Sequence, residues 1–219
     1  MELIRVDLVS RGRGLHMDLG CMKSMKTSLS IQRLVTLSDL GFKCLYINHS
    51  LDVRPNLTGD GMISTHQFSH LDLPSTVTCV KTDRLDRIDV TEYDAIQIDE
   101  GQFYEDIDTV RAWVEVNNKP VYITALDGDF NRVPFNNGVL NLIPFSDSMT
   151  MHTSVCERCL KVKSKVTPAR FTNRLVASDE EILVGGSDVY QVSCRDCYIE
   201  IRDGLTTDPS ECKDGVCYL

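Results

Sequence analysis

The sequence predicts an α/β protein: a mostly parallel sheet with helices on both faces, followed by a small zinc-ribbon-like subdomain. Three observations predict it. Short apolar runs alternate with helix-periodic segments through the first two thirds of the chain, the rhythm of strand–helix–strand crossovers. The turn at residues 20–28, Gly-Cys-Met-Lys-Ser-Met-Lys-Thr-Ser, joins the first such run to the first periodic segment. Two C-x-x-C pairs, Cys156/Cys159 and Cys194/Cys197, flank a basic stretch in the last third.

Taken in order, residues 2–14 hold Leu3, Ile4, Val6, Leu8 and Val9 before Arg11-Gly12-Arg13-Gly14, and read equally as an edge strand with a turn or as an arm (1–14). Leu15, Met17 and Leu19 alternate with His16 and Asp18 as a strand. A central parallel strand is usually apolar on both faces, so Asp18 is out of place there. Ile31, Leu34, Val35 and Leu37 share one helical face, and Gly41 stops the helix because glycine tolerates the left-handed conformation. Cys44-Leu45-Tyr46-Ile47 reads as the second strand. Residues 51–74, with Pro55, Gly59, Asp60 and Gly61, read as a long loop, and long loops in compact domains tend to be functional or disordered. Residues 77–80 are a short strand. Residues 93–98 are an apolar strand ending in Asp99-Glu100-Gly101-Gln102-Phe103. Asp106 is placed to cap a helix whose apolar face is Ile107, Val110 and Val114. Residues 121–126 form another buried strand, leading into Asp127-Gly128-Asp129-Phe130. The expected organisation is a nucleotide-binding domain over 15–149, a cysteine-stapled subdomain over 150–200, and a flexible tail over 201–219.

The chemistry sits at the joints. Residues 20–27 have the form Gly-x-x-x-x-Gly-Lys-Ser/Thr, with Met25 where the second glycine belongs. In such a phosphate-binding loop the backbone of Gly20, Cys21, Met22, Lys23, Ser24 and Met25 would cradle phosphate oxygens at a helix N-terminus. Lys26 would reach the β- and γ-phosphates and Thr27 would offer its hydroxyl to Mg²⁺. Methionine at position 25 must then point away from the nucleotide, toward the sheet or the base pocket. Taken alone, the match is weak and the turn reads more readily as an ordinary strand-to-helix joint. Asp99 and Glu100 read as a Mg²⁺-side acid and a general base, or as solvated acids closing a strand. Gly20, Asp99 and Asp127 all fall at the carboxyl ends of strands, where ligands of open α/β sheets bind. That convergence favours a P-loop NTPase-type site. Four cysteines in two knuckles suit a closed tetrahedral Zn²⁺, the alternatives being unligated buried thiols or redox pairs.

Composition narrows the function classes. The net charge of −9 argues against a dedicated nucleic-acid surface, and with it against a zinc-ribbon nucleic-acid binder. No apolar run approaches the ~20 residues of a membrane span. Met1-Glu2-Leu3-Ile4-Arg5-Val6-Asp7 is too charged for a signal peptide, so a cytoplasmic protein is expected.

The order phosphate loop, Asp99 to Phe103, Leu-Asp-Gly-x-Phe-x-Arg-x-Pro-Phe from Leu126 to Phe135, C-x-x-C, then Gly-Gly-x-Asp-x-Tyr and C-x-x-C resembles the thymidine kinases of the cellular cytosolic and poxviral type. Asn136-Asn137-Gly138-Val139-Leu140-Asn141-Leu142-Ile143-Pro144 is similar to the poxviral members, and the resemblance spans roughly residues 15–198. It implies transfer of the ATP γ-phosphoryl group to the 5′-hydroxyl of thymidine, with Mg²⁺, by a homotetramer whose zinc subdomain carries a substrate-covering lasso. Glu100 matches the general base and Asp99 the Mg²⁺-side acid. Asp52 and Arg54 match an Asp-x-Arg stretch near the phosphates, and Gln102 is expected on the ATP side. Phe103, Phe130 and Phe135 match aromatic positions of the nucleoside pocket, with core packing as the plainer reading of Phe135. Met22 and Leu126 are expected around the base and Thr172 near its 5-methyl group. Glu181, Ile182, Leu183, Val184 and Gly185 match the lasso and Tyr190 its tyrosine. The sequence departs from the family at Met25, at Lys23 (usually aromatic), at Asp18, and through extra residues near 162–168. Those departures keep a degenerate, non-catalytic homologue binding nucleoside or a protein partner as the alternative.

Overall fold

Strand and helix periodicity become two separate packing units. The computed structural model describes residues 13–51, 74, 76–176 and 189–202, and the backbone alone at 212–213 and 216–217. Asp52, Arg54, most of the loop expected over 51–74, and the lasso residues Glu181, Ile182, Leu183, Val184 and Gly185 lie outside the described residues. One unit comprises Met1–Leu19, Met25–Asp127 and Pro134–Met151; the other comprises Gly20–Ser24, Gly128–Val133 and His152–Leu219.

The first unit is built on β1 (Gly14–Gly20), β2 (Cys44–His49), β3 (Val77–Thr82), β4 (Ala95–Ile98), β5 (Pro120–Ala125) and β6 (Ser148–His152), in the order β3-β2-β4-β5-β1-β6. The pairs β2·β3, β2·β4, β4·β5 and β1·β5 are parallel. Strand alternation sorts the side chains. Leu45 and Ile47 join Leu15, Met17, Leu19, Ile96, Ile98 and Ile123 in one core, packed against Val110, Trp113 and Val114 of helix α2 (Val110–Glu115). Cys44 and Tyr46 face the other way, with Val77, Ala95 and Tyr122, against Ile31, Leu34 and Leu37 of helix α1 (Lys26–Asp39). Helices therefore cover both faces. Each such side chain, fully buried, contributes about 1.5–3 kcal/mol of transfer free energy.

The misfit at Asp18 resolves on the α1 side of the sheet. Arg33, one turn and more into α1, places a guanidinium nitrogen 3.0 Å from the Asp18 carboxylate and lies over the Tyr122 ring at 4.5 Å. His16 stacks on the same tyrosine at 4.9 Å. A partly buried carboxylate is tolerable when a guanidinium meets it, although such a pair adds little net stability. A second expectation is corrected. Asp106 makes no side-chain cap to the turn Ile107–Thr109 or to α2. Its carboxylate instead accepts the backbone N–H groups of Leu85 (2.8 Å) and Asp86 (3.0 Å), tying down the turn that follows β3. Capping competes with any other cluster of unpaired N–H groups within reach, and here the remote turn wins.

The second unit is small. Strand β7 (Ser154–Val155) pairs antiparallel with β8 (Pro168–Ala169), and β9 (Phe171–Arg174) with β10 (Tyr190–Ser193). Helices α3 (Glu157–Lys163) and α4 (Arg195–Arg202) each start inside a C-x-x-C pair. Its core is Cys21, Cys156, Cys159, Ala169, Val192 and Cys197, too few apolar atoms to hold a unit of this size without a cross-link. Beyond α4, β11 (Cys212–Lys213) and β12 (Val216–Cys217) pair antiparallel. Among the described residues no helix is long and apolar enough to cross a membrane.

Candidate active site and cysteine centre

The loop over residues 20–27 is shaped by three residues with unusual backbones. Gly20 ends β1 at φ 149°, and a Cβ there would overlap the carbonyl of His152. Lys23 is left-handed at φ 57°, and Met25 at φ 67°, ψ 12°. Ser24 closes the turn by donating its hydroxyl to the Cys21 carbonyl at 2.8 Å. α1 then begins at Lys26, and the first N–H groups of a helix have no intrahelical acceptor. Methionine at 25 thus adopts the backbone conformation a glycine would supply. Its side chain is 50% exposed, so it is not taken up by the sheet, contrary to the first of the two directions expected for it. Gly20 has no such freedom: Gly20→Ala should lower stability by at least about 2 kcal/mol, read as a drop in the urea midpoint, and an unchanged midpoint would contradict the close approach to His152.

Within the first unit, Asp99 is heavily bonded. It is 2% exposed and accepts from the Tyr46 hydroxyl (2.7 Å), the Thr27 hydroxyl (3.2 Å) and the Glu100 N–H (3.1 Å). The Thr124 hydroxyl on β5 bonds it as well. Four donors from β2, α1, β5 and the following residue converge because β4 lies between β2 and β5 in the sheet. Thr27 and Asp99, the two oxygen donors expected beside Mg²⁺, are thus brought together. Hard oxygen ligands of this kind fit Mg²⁺, which keeps several of its waters. Asp99 Oδ1 takes three of these donors and Oδ2 only the Tyr46 hydroxyl, so Oδ2 keeps a lone pair for a metal-bound water.

Glu100 follows in the left-handed region at φ 54°, ψ 47°. Non-glycine residues hold that conformation when the surroundings enforce it, often where function needs it. Three things enforce it here. Gly101 packs so closely on β5 that a Cβ would come within 2.6 Å of Ile123 Cγ2. Asn137 donates to the carbonyls of Gly101 (2.8 Å) and Tyr104 (3.1 Å). Gln102 donates its amide to Glu100 Oε2 at 2.7 Å, while its own carbonyl accepts the Leu126 N–H at 3.0 Å. Gln102, expected on the ATP side, therefore spends both ends of its amide on the protein and orients Glu100. Phe103 lies beside His49, ring centroids 5.7 Å apart, and Phe135 is 8% exposed, as core packing would have it.

Within the second unit, the Thr172 hydroxyl accepts the Met22 N–H at 3.2 Å. Arg174 lies over the face of Phe130 at 3.9 Å and donates to the Tyr190 hydroxyl at 3.2 Å, so one guanidinium joins two of the expected pocket aromatics. Tyr46, Thr124, Asn137 and Arg174 carried no sequence signal as site residues. Tyr46 reads as any buried strand residue until its strand is laid beside β4.

The four cysteines of the two knuckles converge. Their sulfurs all lie within 4.8 Å of one another, with Cys159 Sγ 3.5 Å from Cys197 Sγ and 3.8 Å from Cys194 Sγ. A regular tetrahedron with Zn–S bonds of ~2.3 Å has S···S edges of about 3.8 Å, so the spacing fits zinc and is far too long for disulfides. Burial pushes the Cys197 thiol up, and its cysteine neighbours push it further. At Cys159 burial also opposes ionisation, but hydrogen bonds, the largest with Thr167, outweigh it and hold the thiol down. A cluster of this kind cannot carry four thiolates without a cation, and a divalent ion would supply the missing charge.

A P-loop-type α/β fold joined to a four-cysteine centre is the class of protein that the fold and the sites define. Within that class the match is specific: the family model described as thymidine kinase matches residues 13–198. The thymidine kinase of monkeypox virus (strain Zaire-96-I-16) is 37% identical over 189 residues, covering 86% of this chain and 98% of that protein. Those of vaccinia virus (strain Western Reserve) and variola virus are each 36% identical over 189 residues, with the same coverage. The chain belongs to the thymidine kinase family.

Proposed function

We propose that the protein is an ATP-dependent thymidine kinase that moves the γ-phosphoryl group of ATP to the 5′-hydroxyl of thymidine. The observation that carries the reading is the junction of Thr27 with Asp99, beside a Glu100 whose orientation is enforced by Gln102, at the carboxyl ends of β1 and β4. The relatives named thymidine kinase, matched over nearly their whole length, support the choice of substrate.

On this reading the N–H groups of the phosphate loop and Lys26 hold the ATP phosphates, and Arg54 adds charge near them. Bound Mg²⁺ would neutralise the phosphate oxygens, with the Thr27 hydroxyl and, through water, Asp99 on its protein side. Glu100 accepts the proton of the attacking 5′-hydroxyl as the new O–P bond forms and the bond to ADP breaks. Phosphoryl transfer asks the protein mainly for alignment and charge stabilisation, which explains why Asp99 and Glu100 are so tightly held. Met22, Phe103, Leu126, Phe130 and Thr172 are assigned to the nucleoside. Residues 181–185 and Tyr190 are assigned to its cover. Zinc is assigned a structural role at Cys156, Cys159, Cys194 and Cys197, and the family resemblance adds a homotetramer in the cytoplasm. A phosphoryl-transfer assay offering the four deoxynucleosides with ATP–Mg²⁺ tests the reading: thymidine should be the preferred acceptor, and no transfer to any nucleoside would overturn it.

The alternative, a homologue disabled by Met25, is weakened by the glycine-like backbone of that residue. Left-handed backbone costs an L-residue roughly 1–2 kcal/mol, and a glycine gives back about half of the relief through its freer unfolded state. Met25→Gly should therefore stabilise the protein by roughly 0.5–1 kcal/mol and leave ATP binding within about threefold. Activity appearing only in the glycine variant would restore the alternative.

A further inference from the structure

Lys23 stands in the phosphate loop, at a position where the resembled family usually carries an aromatic residue, yet its charge is not directed at a phosphate site. Its Nζ lies 2.6 Å from Glu157 Oε1 and 3.4 Å from the Tyr190 carbonyl, with the side chains of Lys23 and Glu157 only 19% and 23% exposed. Glu157 sits inside the first cysteine pair, between Cys156 and Arg158. Its other cation, Lys161, is 3.9 Å away and 71% exposed, so Lys23 is the closer partner. The preceding residues are tied to the same unit: Cys21 donates its thiol to the Ala169 carbonyl at 3.5 Å, and Met22 its N–H to Thr172. Cys21 is itself part of the cysteine core.

We propose that Lys23 and Glu157 are positioning residues: their ion pair fastens the first half of the phosphate loop to the cysteine centre and holds the left-handed turn at Lys23 in the shape that receives ATP phosphates. This rests on the reading of residues 20–27 as the ATP phosphate site. Three physical points support it. A left-handed lysine needs a compensating contact, and the ion pair supplies one. A short, largely desolvated pair is costly to break one partner at a time, because the remaining charge is stranded. The loop N–H groups not spent within the protein, as that of Met22 is on Thr172, point where the backbone points, so whatever fixes the backbone fixes the anion nest. Glu157 thus acts on ATP affinity without touching the nucleotide. Lysine at 23 and glutamate at 157 work as a set.

The test uses the full chain, zinc-loaded, with ATP–Mg²⁺ binding followed by calorimetry. Glu157→Gln and Lys23→Met should each weaken ATP binding by about tenfold and raise KM for ATP with kcat little changed, while zinc content stays at that of wild type. The double variant should be no weaker than either single variant, and the swap Lys23→Glu/Glu157→Lys should recover most of the affinity. Wild-type affinity in Glu157→Gln, tighter binding there with loss in Lys23→Met, or additive losses in the double variant would each overturn the proposal. If wild type itself binds no ATP, the phosphate-site reading fails on its own. The anchor is then read by hydrogen exchange at residues 21–24, which should quicken about tenfold in Glu157→Gln, and unchanged exchange would overturn it.

Discussion

Glu100→Gln should lower kcat by roughly 10²- to 10⁴-fold while thymidine affinity is largely kept. The size follows from removing the proton acceptor and nothing else. Gln102 presents its amide N–H₂ to Glu100 because its carbonyl already takes the N–H of Leu126, the residue after β5, so its orientation is determined there. A glutamine at 100 still offers a carbonyl oxygen to that amide and keeps the side chain in place. Gly101 and Asn137 hold the left-handed backbone regardless of the side chain at 100. The comparison of kcat with the dissociation constant for thymidine checks this, and near-normal turnover would remove Glu100 from its role. Gln102→Ala should give a smaller loss, because the base survives but its aim does not.

The second large effect concerns the cysteines. Protein purified without chelator should hold one zinc per chain, and stripping it, or Cys197→Ser, should unfold the second unit while the sheet of the first survives. Structural zinc sites carry apparent binding free energies of about 10–16 kcal/mol, far more than the few apolar side chains around Cys156, Cys159, Ala169 and Val192 can replace. The effect should appear as loss of near-ultraviolet signal from Tyr190 and Tyr198 with the far-ultraviolet strand signal retained. Cys44 and Cys79 serve as controls. Burial pushes both thiols up to about 11, with Asp94 adding to the effect at Cys44, and neither belongs to the four-sulfur cluster, so their replacement should leave zinc content unchanged. Zinc-free protein with an intact second unit, or disulfides in place of the site, would refute the assignment.

Much of this was legible in the sequence for local reasons. The stop of α1 before Gly41, the strands ending at Gly20 and just before Asp99, and the pairing of two cysteine knuckles are written in periodicity and spacing, which depend only on near neighbours along the chain. The fold class followed because a βαβ rhythm leaves few ways to bury two apolar faces. What the tertiary structure alone decided is which distant groups meet. Asp18 is acceptable because α1 delivers Arg33, and Asp106 serves a turn twenty residues upstream instead of its own helix. Asp99 draws hydroxyls from Tyr46 and Thr124 because β4 runs between their strands. Lys23 is an anchor because Glu157 lies opposite it. A side chain's chemistry is set by its type, but its partner is set by strand order, register and the face it occupies, and those exist only once the whole sheet and the cysteine core have closed.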